Sequence, residues 1–223
     1  MGHFVTHCRA AFAVLIAATS IPSMADQEPR GYYATLYAQA SRLGSTSFDQ
    51  VGDATYGTGL RAQFDTGLGF GGDFGFRYGN GWAAEVEWNY RRHNLKTLSG
   101  SNTPITEGDF ASNIVFVNGL RRFPSPNRSW IPYVGAGVGW VQEVDFDLNS
   151  SGTERAWSKQ GKLGVQWMAG VEIPVNNVWR LTTDLRLLSL GKVDLPAEEG
   201  VAGRLVKPRY NPVSVQVGLR RMF

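Results

Sequence analysis

The chain alternates apolar and polar positions over long stretches. Phe64, Leu68, Phe70, Phe74, Phe76 and Tyr78 share one parity, whereas Gln63, Asp65, Gly67, Gly69, Gly71, Asp73, Gly75 and Arg77 share the other. Successive side chains of a β-strand point to opposite faces, so such a run has one apolar and one polar face. The pattern returns as Trp82, Ala84, Val86, Trp88 and Tyr90 against Glu85, Glu87, Asn89 and Arg91. It returns again as Trp179, Leu181, Leu185 and Leu187 against Arg180, Thr182, Asp184 and Arg186. At the carboxy end Val213, Val215, Val217 and Leu219 alternate with Ser214, Gln216, Gly218 and Arg220, and the chain stops on Phe223. In all, the periodicity predicts strands at 31–41, 62–78, 82–94, 109–123, 130–147, 160–174, 179–190 and 210–223. The phase of the fourth is open, because Ile114, Phe116 and Leu120 share a face with Ser112 and Asn118 while Val115 and Val117 face the other way.

Each segment is long enough for the roughly 9–11 residues that a tilted strand needs to cross a hydrocarbon core. The connections alternate in length. Gly79-Asn80-Gly81, Pro124 to Ser129 and Val175 to Val178 are short, whereas 42–61, 95–108, 148–159 and 191–209 are long and polar. Outer-membrane barrels have short periplasmic turns and longer extracellular loops, so the pattern predicts an all-β, eight-stranded, antiparallel up-and-down transmembrane barrel with both ends in the periplasm. Tyr32, Tyr78, Trp82, Phe123, Trp130, Trp179 and Phe223 then stand at the periplasmic strand ends as an aromatic girdle, since amphipathic rings settle at headgroup depth. Tyr90, Trp140, Phe146 and Tyr210 are candidates for a second girdle on the outer side. A three-residue turn centred on Asn80 would pair Tyr78 with Trp82, Gly75 with Glu85, Gly71 with Asn89 and Gly69 with Arg91. Glycine would thus make room for long lumenal side chains. A soluble lipocalin-like barrel would turn the aromatic face inward, and eight strands leave too little interior for it.

The amino end fits export. Arg9 precedes an apolar run from Ala10 to Ala18, and Ser23-Met24-Ala25 supplies small residues for cleavage, so residues 1–25 read as a secretory signal peptide and 26–223 as one barrel domain. The single cysteine, Cys8, leaves with the signal, as do His3 and His7, which excludes a disulfide framework. Loss of Arg9 with the signal takes the formal charge from +3 to +2, too small to argue for nucleic acid. The remaining histidine, His93, reads as a rim residue facing headgroups or water. One histidine cannot build a histidine-rich metal site, and no acidic run has calcium-loop spacing, so no cofactor is expected. Asp145 and Asp147 read as rim polarity rather than as a cation site.

Inward-facing charge is the remaining chemical feature. The proposed phases point Arg77, Glu85, Glu87, Arg91, Arg121, Glu143, Asp145, Lys162, Glu172, Arg180, Asp184, Arg186 and Arg220 into the lumen. Mixed charges in a narrow space must pair, because an unpartnered buried charge is costly. The set reads as a salt-bridged plug, with a narrow ion path as the alternative.

The segments "GLGFGGDFGFRYGNGWAAEVEWNYRR" from Gly67 to Arg92, "PYVGAGVGW" from Pro132 to Trp140 and the Phe-terminated last strand resemble the outer-membrane β-barrel domain of opacity-type surface proteins. They are similar too to the transmembrane domain of OmpA-like proteins. The resemblance covers nearly the whole chain after the signal and implies a barrel-only member, recognised by the barrel-assembly machinery through Val213 to Phe223. It is specific for architecture and weak for activity. No His-x-Ser spacing of a lipid A deacylase follows His93, and the chain reads as non-enzymatic. The expected role is an integral outer-membrane surface protein, in contact with outer-membrane lipid and lipopolysaccharide, that supports the envelope and presents loops to a host or surface ligand. The alternative is a narrow pore for ions or small solutes. The stretch 191–209, with Lys192, Asp194, Glu198, Glu199, Arg204, Lys207 and Arg209, is the first candidate for a partner contact.

Overall fold

A computed structural model describes residues 30–127 and 129–223; the signal-peptide expectation for 1–25 lies outside them. Thirteen strands follow in order: β1 (Gly31–Arg42), β2 (Thr46–Val51), β3 (Leu60–Phe64), β4 (Gly67–Arg77), β5 (Trp82–Ser99), β6 (Glu107–Arg122), β7 (Ile131–Ser150), β8 (Thr153–Lys159), β9 (Leu163–Pro174), β10 (Trp179–Ser189), β11 (Leu195–Pro196), β12 (Arg204–Val206) and β13 (Val213–Met222). Among the described residues no helix is long and apolar enough to cross a membrane. Crossing is by strands.

Eight of the strands form the barrel. β1 pairs antiparallel with β4, β4 with β5, β5 with β6, β6 with β7, β7 with β9, β9 with β10, β10 with β13, and β13 returns to β1. Closure leaves no edge, as a lipid environment requires of a sheet. The register between β4 and β5 is Gly75 with Glu85, Gly71 with Asn89 and Gly69 with Arg91, and the Tyr78 amide bonds the Trp82 carbonyl. Alternation sets the faces: Leu36 is 77 % and Leu68 is 71 % exposed on the outer wall, whereas Glu87, Asn89 and Arg91 are fully buried inside. Large aliphatic groups bare to the surroundings are stable only where those surroundings are hydrocarbon.

The stretches expected as loops are folded. Beyond the barrel β5 continues and pairs with β3, β3 with β2, β2 with β12 and β12 with β11. Ala197, just past β11, bridges to Trp157 of β8, and β8 pairs with the outer half of β7. The β7–β8 hairpin turns at Ser151 and Gly152, both with positive φ, as a two-residue primed turn demands. The result is a second ring of strands, an extracellular crown seated on the barrel. Its interior is apolar: Phe48, Tyr56, Leu60, Phe110, Phe146, Trp157, Leu195 and Leu205 are buried there, in one cluster that continues down to Ile114 and Phe116 in the barrel.

The crown accounts for several departures from the expected strands. The predicted second strand, 62–78, is two strands broken at Asp65-Thr66, with a register irregularity at Gln63 and Phe64. Phe64 therefore leaves the lipid face and packs against Phe110 and Phe146 at 5.8 and 6.0 Å. Phe146 and Tyr210, candidates for an outer girdle, are buried under the crown. A β-bulge explains Phe146: Asn113 faces Glu143 while Ile114 faces Val141, so Gln142 is an extra residue and the alternation of β7 inverts above it.

Candidate functional site

The periplasmic half of the barrel interior holds a dense ionic network. Five arginines, Arg77, Arg122, Arg180, Arg186 and Arg220, share it with five carboxylates, Asp73, Glu85, Glu87, Glu172 and Asp184, so the charge balances; Arg91 sits above them, bonded to Asn89 at 2.9 Å and Ser214 at 3.4 Å. Two carboxylates act as hubs. Glu172 takes Arg180 at 2.6 Å, Arg122 at 3.0 Å and Arg220 at 3.4 Å. Glu87 pairs with Arg186 and accepts hydrogen bonds from Tyr37, Asn118 at 2.7 Å and Gln166 at 2.9 Å. Arg186 also reaches Asp184 at 2.7 Å, and Tyr133 donates to the other oxygen of that carboxylate at 2.6 Å. Arg220 spans to Glu85 at 3.4 Å and Asp73 at 3.6 Å, and lies 4.1 Å from the centre of the Tyr33 ring. Glu85, Glu87, Glu172 and Asp184 and the guanidiniums of Arg122, Arg180, Arg186 and Arg220 thus meet partners that offset their desolvation, which is how buried ions persist.

The glycine row of β4 makes this network fit, though for a different neighbour than the one predicted. A Cβ on Gly75 would run into the Tyr33 ring, and one on Gly71 into the Tyr37 ring. Both tyrosines come from β1, opposite those glycines in the ladder. They fill the lumen and donate to Glu85 and Glu87.

Above the ions lies a thin polar layer. His93 is fully buried, with Nε2 2.7 Å from Ser41 Oγ and Nδ1 3.5 Å from the Tyr210 hydroxyl, which in turn lies 2.9 Å from Ser112 Oγ. The rim reading of His93 is corrected: its odd parity on β5 continues the inward set of Glu85 to Arg91, and β5 runs on into the crown. The apolar crown core closes the interior above it. On the crown surface the Gly59 amide and then Lys207 hold the Asp49 carboxyl below its ordinary range, with contacts of 2.8 and 2.9 Å.

Four residues predicted inside are not there. Arg121 faces outward, over Trp82 at 5.4 Å and Phe123 at 5.8 Å, and Arg122 takes the inward place. The reason is the phase of β6: Ile114, Phe116, Asn118 and Leu120 all point inward, because the upper interior is apolar. Glu143 and Asp145 lie above the Gln142 bulge and so face outward. There Asp145, Asp147 and Asp109 bring oxygens within 4.8 Å of one another, Asp109 being paired with Arg92 at 2.7 Å. Lys162 sits at the outer rim, donating to the Lys192 carbonyl at 2.8 Å. Tyr32, Tyr78, Trp82, Phe123, Trp130, Trp179 and Phe223 are exposed at the end of the barrel that carries the short turns.

The outer membrane protein beta-barrel domain family matches this chain over residues 11–223. No curated protein matches it. Among solved structures, OprG from Pseudomonas aeruginosa superposes with a TM-score of 0.63 at 17% identity, covering 86% of this chain and 96% of that one. Neisserial surface protein A, NspA, superposes with a TM-score of 0.53 at 17% identity, over 88% of this chain and 100% of that one. The outer membrane protein AlkL in lipid bilayers gives 0.52 at 19% identity, over 92% and 96%. These likenesses carry the fold.

Proposed function

The chain belongs to the outer membrane protein beta-barrel domain family, and from that membership we propose that it is a non-conducting surface protein of the bacterial outer membrane, whose sealed barrel anchors a rigid extracellular crown. The observation that carries this reading is the double closure of the interior. Ions locked around Glu87 and Glu172 fill the periplasmic half, and the Phe110, Phe146 and Trp157 core fills the outer half. A pore would need a continuous hydrated path, and eight strands leave an interior just wide enough for side chains. The four long connections form a packed unit with buried aromatics, which suits envelope support and the display of a fixed surface. Catalysis is not part of the proposal: His93 is enclosed between Ser41 and Tyr210 under the crown, where no substrate reaches it.

The test is solute permeation. Liposomes carrying the refolded protein should swell in isotonic arabinose no faster than empty liposomes. Swelling that grows with protein content would contradict the proposal.

A further inference from the structure

The outer wall is not uniform where barrel meets crown. Above Leu36 the outward residues of β1 are small: Ala38 lies between Phe70 of β4 and Val217 of β13, and Ala40 between Leu68 and Val215. Two methyl groups flanked on both sides by larger, exposed side chains form a shallow apolar trough. It runs up the wall to Arg42, the last residue of β1, which is exposed and opposite Val213.

Arg42 opens a cluster of cations. Just beyond it Ser45 accepts a hydrogen bond from Arg61 at 3.3 Å, and Thr46 accepts one from the Arg209 backbone amide at 2.7 Å. Lys192 is bridged across from Arg209. Arg42, Arg61, Lys192 and Arg209 are all exposed, and none makes an ion pair among the described residues. Three carboxylates lie near this sector and none pairs with the four cations: Asp49 meets the Lys207 ammonium at 2.9 Å, Asp194 accepts from the Lys207 backbone amide at 3.2 Å, and Asp65, between β3 and β4, makes no ion pair among the described residues. Around the wall, above β6 and β7, the outward groups are acidic instead, with Glu143, Asp145, Asp147, Glu154 and Glu198 lining two neighbouring clefts. The four unpaired cations therefore sit at the top of the trough, away from this acidic face.

Four neighbouring cations outside any ion pair repel one another, and a ligand with several anionic oxygens relieves that repulsion. An apolar trough leading away from them suits a hydrocarbon tail. We propose that this sector binds a phosphorylated, multiply acylated glycolipid of the outer leaflet, its phosphates on Arg42, Arg61, Lys192 and Arg209 and one acyl chain along Ala38 and Ala40. The inference rests on the outer-membrane setting and not on the sealed interior, so permeation results leave it untouched.

The experiment titrates diphosphorylated, hexa-acylated lipid A into the full-length exported protein in octyl glucoside, with bound lipid read by native mass spectrometry. Arg42→Gln with Arg209→Gln should weaken binding about tenfold or more, the scale of losing charge-assisted contacts. Ala40→Trp, which fills the trough and leaves every charge in place, should also weaken it. Lys96→Gln with Lys159→Gln, exposed cations outside the sector, should change nothing, and lipid A stripped of phosphate should bind poorly. Retained heat-modifiable mobility establishes that each variant is folded, and Ala40→Trp carries the test if the arginine variant is not. Unchanged affinity in the sector variants would overturn the proposal, as would an equal loss in the Lys96 and Lys159 control. Displacement of the lipid by inorganic pyrophosphate would assign the cations to a free phosphate ligand and overturn the glycolipid reading.

Discussion

At the scale of single residues, the interior depends on a few acids that each hold several cations. Glu172 is the extreme case, with Arg122, Arg180 and Arg220 on one buried carboxylate. Removing one partner of a buried ion pair leaves the others uncompensated, which costs about 3–5 kcal/mol. Glu172→Gln keeps the shape and removes the charge, so the folded barrel should lose stability on that order, read as a lower urea midpoint for unfolding in lipid vesicles. Arg121→Gln is the internal comparison. Its guanidinium lies outside over two aromatic rings, where a cation–π contact contributes about 0.5–1 kcal/mol. An Arg121 effect equal to that of Glu172 would contradict the assignment of faces on β6. Most of the lumenal set was legible in the alternation of β5 and β10, because the charged residues from Glu85 to Arg91 and from Arg180 to Arg186 fall on one parity. The tyrosine partners were not. Tyr33 and Tyr37 read as ordinary aromatic positions until the ladder with β4 places them over Gly75 and Gly71.

At the scale of elements, the barrel strands follow from periodicity and the crown does not. Period-two alternation over ten or more residues is a strong signal, whereas β2, β3, β11 and β12 are short segments inside stretches rich in glycine and in charged or hydroxyl side chains. Their apolar members, such as Phe48, Leu60, Leu195 and Leu205, are spaced too widely along the chain to announce a shared core. The Gln142 bulge was equally silent, since one inserted residue inverts a face without changing composition. The crown has its own keystone in Trp157, which packs edge-on against Tyr56 with ring centres 5.8 Å apart. Trp157→Ala should cost about 3–5 kcal/mol, as large-to-small changes in a packed core do. The loss should fall on the crown alone. Trypsin should then cut within 150–210 of the folded variant, while the heat-modifiable gel shift of the barrel persists. Protection equal to that of the parent protein would show that the crown does not depend on this core.

At the scale of the whole molecule, an outer wall suited to lipid encloses an interior divided into two differently filled halves. The closed eight-stranded topology was legible from the spacing of strands and the alternation of short and long connections, and the family match agrees with it. The division of the interior was not, because it depends on which face β6 turns inward. Apolar Ile114 and Phe116 on that face extend the crown core down into the barrel, toward the ions around Glu87. The central claim is that this double filling seals the barrel. It is tested most directly by recording from the purified protein in a planar bilayer in 1 M KCl. The account predicts a flat baseline at the insertion levels that give an open porin many steps; stable, protein-dependent single-channel steps of uniform size would contradict it.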